Sequence, residues 1–159
     1  MTMNCARVIF LMLAACSCAN AQCQPDHLAV IINKSNPTES LSVAQLRRLF
    51  MGDVRAWPDH KLASLVSREP SSNVFQCALS TVVRLSDAEY HRYMLSAEFR
   101  GEEPMVVQTV DSDAAVARMV AGSAGGIAFV DMRSIAMVSP SVKVIRVNGK
   151  NPGEPGYPL

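Results

Sequence analysis

The stretch Ser40–Glu69, SLSVAQLRRLFMGDVRAWPDHKLASLVSRE, holds the signals that decide the fold. Ser42 and Gln45 form a capping-box pattern, and apolar residues at helical spacing follow them. Gly52 suits the left-handed stop of that helix. A Trp-Pro-Asp-His turn then separates the helix from an apolar run that predicts a strand, with Arg68 just past its end.

The same alternation of helix and strand patterns continues on both sides of this stretch. The apolar runs that predict strands cover residues 28–32, 62–66, 105–107, 126–130 and 142–147, and further capped helices begin after Ser71 or Ser72, after Ser86, and after Asp111 or Ser112. The first run is continuously apolar, as in strands covered on both faces. A chain of 159 residues with strands alternating with helices predicts one α/β domain.

The N-terminus has the pattern of an export signal. A basic residue precedes a short apolar run, and an Ala-x-Ala site ends at position 21, which predicts a signal peptide over 1–21 and a domain over 22–159. Residues 13–16, Leu-Ala-Ala-Cys, also resemble a bacterial lipobox, in which the signal is 1–15 and Cys16 becomes the acylated N-terminus. Both alternatives stay open. We expect a periplasmic, secreted or lipid-anchored protein of the bacterial envelope, whose only membrane contact is that lipid.

Charge and cysteine content narrow the function classes. Removing residues 1–21 removes one base, Arg7, and leaves 14 bases against 14 acids. A neutral chain without a basic run has no electrostatic footprint for nucleic acid. Cys23 and Cys77 remain after cleavage at position 21 and can pair in an oxidising compartment. The alternative for Cys77 is a small buried apolar side chain on a helix.

Patterns for catalysis or metal binding are weak, and the one metal-like spacing, Cys16-x-Cys18-x4-Cys23, lies in or beside the predicted signal segment. No pair of the three histidines has the spacing of a metal site, and the Gly-x-Ser-x-Gly, P-loop and His-Glu-x-x-His motifs are absent. We therefore expect a protein that is not an enzyme, with no metal ion and no cofactor.

The one candidate binding site joins the end of a predicted strand to the start of a predicted helix. It comprises Arg68, Ser71, Ser72 and Asn73. Free N–H groups at a helix start favour anions, and a guanidinium can bind an oxyanion with two parallel hydrogen bonds. The structural alternative is that the serines merely cap the helix and that Arg68 pairs with a nearby acid, which would count against an oxyanion site.

The order of these motifs resembles the phosphate-type substrate-binding proteins of ABC transporters. The similar segments run from Asn33-Lys34-Ser35-Asn36-Pro37 through the stretch from Ser40 to Trp57, Arg68 with its serines, Phe99-Arg100-Gly101 and Ala124 to Val130, to the ending Pro152 to Leu159. The resemblance implies a single lobe of the type II periplasmic-binding-protein fold, with a mixed, mostly parallel sheet flanked by helices. It also implies phosphate or another small oxyanion as the ligand.

Departures from that family leave two functional hypotheses. The Asp-Gly-Ser-Gly-Thr type of loop found after the family's arginine is not matched by Glu69-Pro70-Ser71-Ser72-Asn73, so the first hypothesis is weak phosphate or oxyanion binding linked to ABC-type uptake. The second is an interaction, sensor or accessory module of the cell envelope that has lost ligand binding. It would bind an envelope protein or a second copy of itself through an exposed apolar face.

Overall fold

The computed structural model describes Cys23, residues 27–99, residues 107–137 and residues 139–159. The predicted signal segment and Cys16 lie outside the described residues. The strands are β1 (Leu28–Asn33), β2 (Ser40–Leu41), β3 (Ser64–Arg68), β4 (Val107–Val110), β5 (Gly126–Asp131) and β6 (Val142–Val147). The helices are α1 (Val43–Phe50), α2 (Asn73–Ala78), α3 (Asp87–Phe99) and α4 (Asp113–Gly122), with a π-helical turn at Leu79–Val83 and a 3₁₀ helix at Met132–Met137.

The six strands form one mixed sheet in the order β2-β6-β1-β5-β3-β4. Strand β1 is antiparallel to both of its neighbours, β5 and β6, whereas β2 is parallel to β6 and β3 is parallel to both β4 and β5. Five strands therefore run in one direction and β1 alone runs in the other. The predicted mixed, mostly parallel sheet flanked by helices is confirmed.

Strand β1 lies inside the sheet and is covered on both faces, as its continuous apolar run predicts. All six of its residues are buried. Val30 and Ile32 belong to the larger core cluster, together with side chains of α1 and α2, whereas Ala29 and Ile31 belong to a second cluster with side chains of α4. Alternate residues of a strand point to opposite faces, so one apolar run serves two cores.

Helix α1 forms where the capping signals predict it. The Ser42 side chain accepts a hydrogen bond from the Gln45 N–H, and the Gln45 side chain accepts one from the Ser42 N–H. Leu46, Leu49 and Phe50 are buried on one face. Gly52 follows the helix with φ 78°, the left-handed conformation that glycine adopts without steric cost.

The turn after α1 places Trp57 in the larger core. Its indole is 3% exposed, and its Nε1–H donates to the carbonyl oxygen of Gly125 at 2.9 Å. The main-chain N–H of Ser64 donates to the same oxygen at 2.9 Å. A Cβ atom on Gly125 would overlap the carbonyl of Leu62, so this close approach requires glycine. The strand predicted over residues 126–130 is confirmed as β5, of which five of the six residues are buried.

Some predicted boundaries are wrong. Strand β3 begins two residues later than the apolar run, because Leu62 is 76% exposed and lies outside the core. It also extends two residues further, so Arg68 is its last residue and does not follow it. Strand β4 occupies Val107–Val110, partly beyond the apolar run at 105–107, of which residues 105 and 106 lie outside the described part. Strand β2, which pairs with β6, has too few residues to give a strand pattern in the sequence.

The two later helices also follow their capping signals. Ser72 caps α2, which continues directly into the π-helical turn. Ser86 and Glu89 exchange hydrogen bonds at the start of α3, where the Ser86 N–H donates to Glu89 at 2.8 Å. The hydrogen bonds from the Ser86 hydroxyl and from its main-chain N–H lower the pKa of the Glu89 carboxyl.

Within the described residues, no helix has the length and apolarity to cross a membrane.

Candidate functional site

The polar residues of interest gather at one edge of the sheet. Strands β3, β4 and β5 run side by side in one direction, so their carboxyl ends meet there. Arg68 is the last residue of β3 and Asp131 is the last residue of β5. Helix α4 follows β4 and begins at Asp113. Open α/β sheets bind ligands at this edge, because helix starts and loops converge on it.

The guanidinium of Arg68 is held by groups from the start of α4. Its Nη1 forms an ion pair with Oδ1 of Asp113, and its Nη2 donates to the carbonyl oxygen of Asp111 at 2.7 Å. The side chains of Arg68 and Asp113 are only 20% and 11% exposed. Within the described residues, Nε of Arg68 is buried and has no hydrogen-bond partner. Both terminal nitrogens of the guanidinium therefore have partners in the chain itself.

The carboxylate of Asp113 is bound on both of its oxygen atoms. While Oδ1 contacts Arg68, Oδ2 accepts a hydrogen bond from the main-chain N–H of Asp131 at 3.1 Å. Ser112 caps the helix, since its Oγ accepts from the N–H of Ala115 at 3.3 Å. The carboxylate also lies in the first turn of α4, where the helix dipole favours negative charge. Three sources of positive potential therefore meet at one carboxylate.

A second ion pair lies next to the first. Arg133 donates to the carboxylate of Asp131 from Nε at 2.9 Å, from Nη2 at 2.6 Å and from its main-chain N–H at 2.8 Å. The side-chain hydrogen bond from Arg133 is the largest influence that lowers the pKa of the Asp131 carboxyl. The Arg133 side chain is 78% exposed, so this pair faces solvent.

The other predicted ligand residues have local structural partners. The Oγ of Ser72 accepts from the N–H of Phe75 at 3.2 Å, and the Ser72 N–H donates to the carbonyl of Glu69 at 2.9 Å. Asn73 Oδ1 is 3.7 Å from the Sγ of Cys77, and Ser71 is exposed. Arg68 and Ser72 thus make the contacts that the structural alternative describes. A ligand-binding role for Arg68, Ser71, Ser72 and Asn73 stays a prediction.

Asp113 is the member of this site that no sequence pattern marks as a binding residue. It lies in the first turn of α4, where an acidic side chain is common for structural reasons alone. Its contact with Arg68 joins residues 45 positions apart. No local signal around either residue points to the other, and only the parallel arrangement of β3 and β4 brings them together.

Two open clefts border the elements around this edge. One, of about 330 Å³, lies beside Arg68 and has a mixed lining. Its apolar side chains include Phe75, Met94 and Leu95, and its polar ones include Ser67, Asp87, His91 and Thr109. Burial raises the pKa of the Tyr90 hydroxyl, which donates to the carbonyl of Phe50 at 3.0 Å. The other, of about 240 Å³, lies between α1 and the Trp57 turn.

Cys23 and Cys77 are joined by a disulfide, with their Cα atoms 5.2 Å apart. Cys77 is also 2% exposed within the larger core, so the disulfide and the buried position occur together. The bond links the chain just before β1 to α2.

Among the described residues, no group of three or more His, Cys, Asp or Glu side chains could hold a metal ion.

Comparison with known proteins identifies the family. The family model described as "PBP superfamily domain" matches residues 22–150. The chain belongs to this family. The resemblance to phosphate-type substrate-binding proteins is thereby confirmed at the level of the family, and the periplasmic-binding-protein-like fold is confirmed by solved structures.

Three of those structures illustrate the likeness. An ABC-type phosphate transport receptor from Vibrio cholerae has a TM-score of 0.62 and 22% identity over 79% of this chain. A putative phosphate ABC transporter substrate-binding protein from Clostridium perfringens, with bound phosphate, has a TM-score of 0.61 and 20% identity over 79% of this chain. PstS from Borrelia burgdorferi has a TM-score of 0.64 and 12% identity, again over 79%. The chain spans 48%, 46% and 49% of their respective lengths.

Proposed function

We propose that this chain is an exported, non-enzymatic domain that binds phosphate or another small oxyanion weakly, in connection with ABC-type phosphate uptake. The observation that carries the proposal is the position of Arg68 at the carboxyl end of β3, beside the first turn of α4 and the N–H of Asp131. The family and the phosphate named for the solved relatives support the same ligand class.

Two physical features make the expected affinity low. The guanidinium of Arg68 already binds Asp113 and the carbonyl of Asp111, so a ligand must compete with groups of the chain. The site also lies at an open edge, where water competes for every donor, and ligand pockets normally enclose most of the ligand surface. A dissociation constant in the millimolar range, about −4 kcal/mol of binding free energy, fits these features.

Export is part of the proposal. The signal pattern at 1–21 supports it, and so does the disulfide between Cys23 and Cys77, because disulfides persist in oxidising compartments. Intact-mass analysis of the processed protein tests the two routes. A lipid adduct on Cys16 supports the anchored form, a start at Gln22 supports the released form, and an unprocessed chain rejects export.

Isothermal titration with phosphate and with sulfate tests the binding itself. We expect a weak exothermic or endothermic signal that disappears in Arg68→Ala. The matched control is Arg48→Ala, which removes an exposed arginine of α1 away from the sheet edge. Wild-type protein that gives no heat at millimolar anion would reject the proposal, as would an Arg68→Ala variant that binds like wild type.

A second candidate function is favoured by exposed apolar side chains of α3, which borders the cleft beside Arg68. Leu95 in that cleft is 42% exposed, and Phe99 at the end of the same helix is 90% exposed. Exposed apolar side chains grouped on one helix are typical of a surface that contacts another protein. The domain would then be an interaction, sensor or accessory module of the envelope.

Light scattering separates this second candidate from a monomeric binding domain. If a second copy covers the cleft, the protein is a dimer and Leu95→Glu converts it to a monomer. Leu62→Glu is the control, since Leu62 is 76% exposed at the other end of β3. The interaction function is contradicted if the wild-type protein is a monomer and a pull-down from an envelope extract recovers no partner. Binding of phosphate in the titration would then favour the first function.

A further inference from the structure

We propose that the carboxylate of Asp113 is an internal ligand, which occupies the anion site at Arg68 and lowers the affinity of that site for external oxyanions. The inference rests on the proposed oxyanion function and specifies where the anion would bind. It places the site at the first turn of α4, between Arg68 and the N–H of Asp131. The serine-containing loop before α2, which the sequence predicts, is not its centre.

The hydrogen-bond donors around the Asp113 carboxylate are of the kind that bind small anions. A guanidinium nitrogen contacts one oxygen and a main-chain N–H contacts the other. The carboxylate is 11% exposed, so protein groups have replaced most of its hydration. Charge-assisted hydrogen bonds of this kind bind phosphate and carboxylate oxygen atoms alike. The side chain of Asp113 thus fills the position that a small free anion would take.

The site keeps an unused donor. Nε of Arg68 is buried without a hydrogen-bond partner among the described residues. Because the Asp113 carboxylate is attached to α4, it contacts only Nη1 of the guanidinium. Nη2 donates instead to the carbonyl oxygen of Asp111. Phosphate has more oxygen atoms than a carboxylate and no tether, so it can use donors that Asp113 leaves unpaired.

An anion on the same chain competes at a high effective concentration, because it pays little translational entropy to reach the guanidinium. The apparent affinity for an external anion equals the intrinsic affinity multiplied by the fraction of molecules in which Arg68 is free, so a small free fraction gives weak binding. Removing the Asp113 carboxylate should therefore raise the affinity for phosphate. If the ion pair only stabilises the fold, the same change should not increase phosphate binding.

Two variants of Asp113 separate occupancy from charge. Asp113→Ala vacates the carboxylate position, while Asp113→Asn removes the charge but keeps the volume and a carbonyl oxygen. Each variant is titrated with sodium phosphate and with sodium formate, against sodium chloride at equal ionic strength. The readouts are the dissociation constant and the ¹⁵N–¹H shift of the Asp131 amide.

We expect Asp113→Ala to bind phosphate at least about tenfold more tightly than wild type, since Arg68 is then always free. The Asp131 amide signal should move with the same titration curve, and formate should raise the melting temperature. Asp113→Asn should gain less than Asp113→Ala, because its amide oxygen can still accept a weaker, uncharged hydrogen bond from Arg68. An equal gain in both variants would overturn the inference, as would no gain in Asp113→Ala. If Asp113→Ala does not fold, Asp113→Ser vacates the same space and is judged by the same criteria.

This experiment distinguishes the inference from the proposed function. Wild-type protein that does not bind phosphate, with an Asp113→Ala variant that does, rejects the proposed function and supports the internal ligand. Wild-type protein that binds phosphate through Arg68, with no gain in Asp113→Ala, supports the function and rejects the internal ligand.

Discussion

Strand β3 connects two corners that are built in different ways. The Trp57 corner, formed by Trp57, Ser64 and Gly125, lies at its start, and two donors there share one carbonyl oxygen. The Arg68 corner lies at its end and comprises Arg68, Asp111, Asp113 and Asp131. The Trp57 corner is stabilised mainly by packing of the buried indole ring, whereas the Arg68 corner is stabilised by an ion pair and charged hydrogen bonds. Packing needs only size and apolarity, whereas an ion pair needs one particular partner.

The largest expected effect lies at the Trp57 corner. Trp57→Ala leaves a large cavity in the core and should lower the free energy of unfolding by about 3–5 kcal/mol. Urea denaturation followed by far-UV circular dichroism measures it, because Trp57 is the sole tryptophan and fluorescence would be lost. Trp57→Phe keeps a ring and should lose much less. Equal losses in the two variants would show that the hydrogen bond to Gly125, not the packing, closes this corner.

Next in size is the covalent link that ties α2 to the chain before β1. Breaking the disulfide with Cys23→Ser should cost about 2–4 kcal/mol, because the unfolded chain regains the entropy of a loop that spans 54 residues. Urea denaturation of wild type with and without reductant provides the comparison. A reductant that leaves the wild-type midpoint unchanged would mean that the two corners hold the domain together without this link.

The Arg68 corner should respond less, and its response should depend on salt. Arg68→Met removes the charged hydrogen bonds to Asp113 and Asp111 and should cost about 1.5–3 kcal/mol. A double-mutant cycle with Asp113→Ala measures the coupling between the two side chains. High salt should reduce the coupling only partly, since both side chains are mostly buried. A coupling near zero would contradict the view that charge closes this corner.

The smallest effects concern helix caps near the two corners. Ser42→Ala and Ser72→Ala each remove a side-chain acceptor at a helix start and should cost about 1 kcal/mol. The two losses should be similar, because Ser42→Ala keeps the main-chain N–H that donates to Gln45 and removes only the acceptor Oγ. Thermal melts compare them. A Ser72→Ala loss well above that of Ser42→Ala would indicate that Ser72 has a further role in the Arg68 loop.

Local sequence determined most of the elements. The capping boxes at Ser42 and Ser86, the apolar run of β1 and the glycine after α1 involve residues within about four positions of each other, so their signals survive in the unfolded chain. The start of β3 was misplaced because an apolar residue, Leu62, is exposed, and apolarity does not by itself require burial.

Tertiary structure alone decided the partner of Arg68. The sequence placed this arginine at the end of a strand and left both an oxyanion and a nearby acid open as partners. Asp113 lies 45 positions away, and its own local signals describe only a helix start. The parallel pairing of β3 with β4 brings the two together at one edge of the sheet. Electrostatic attraction depends on distance in space, which hydrophobic periodicity along a chain does not encode.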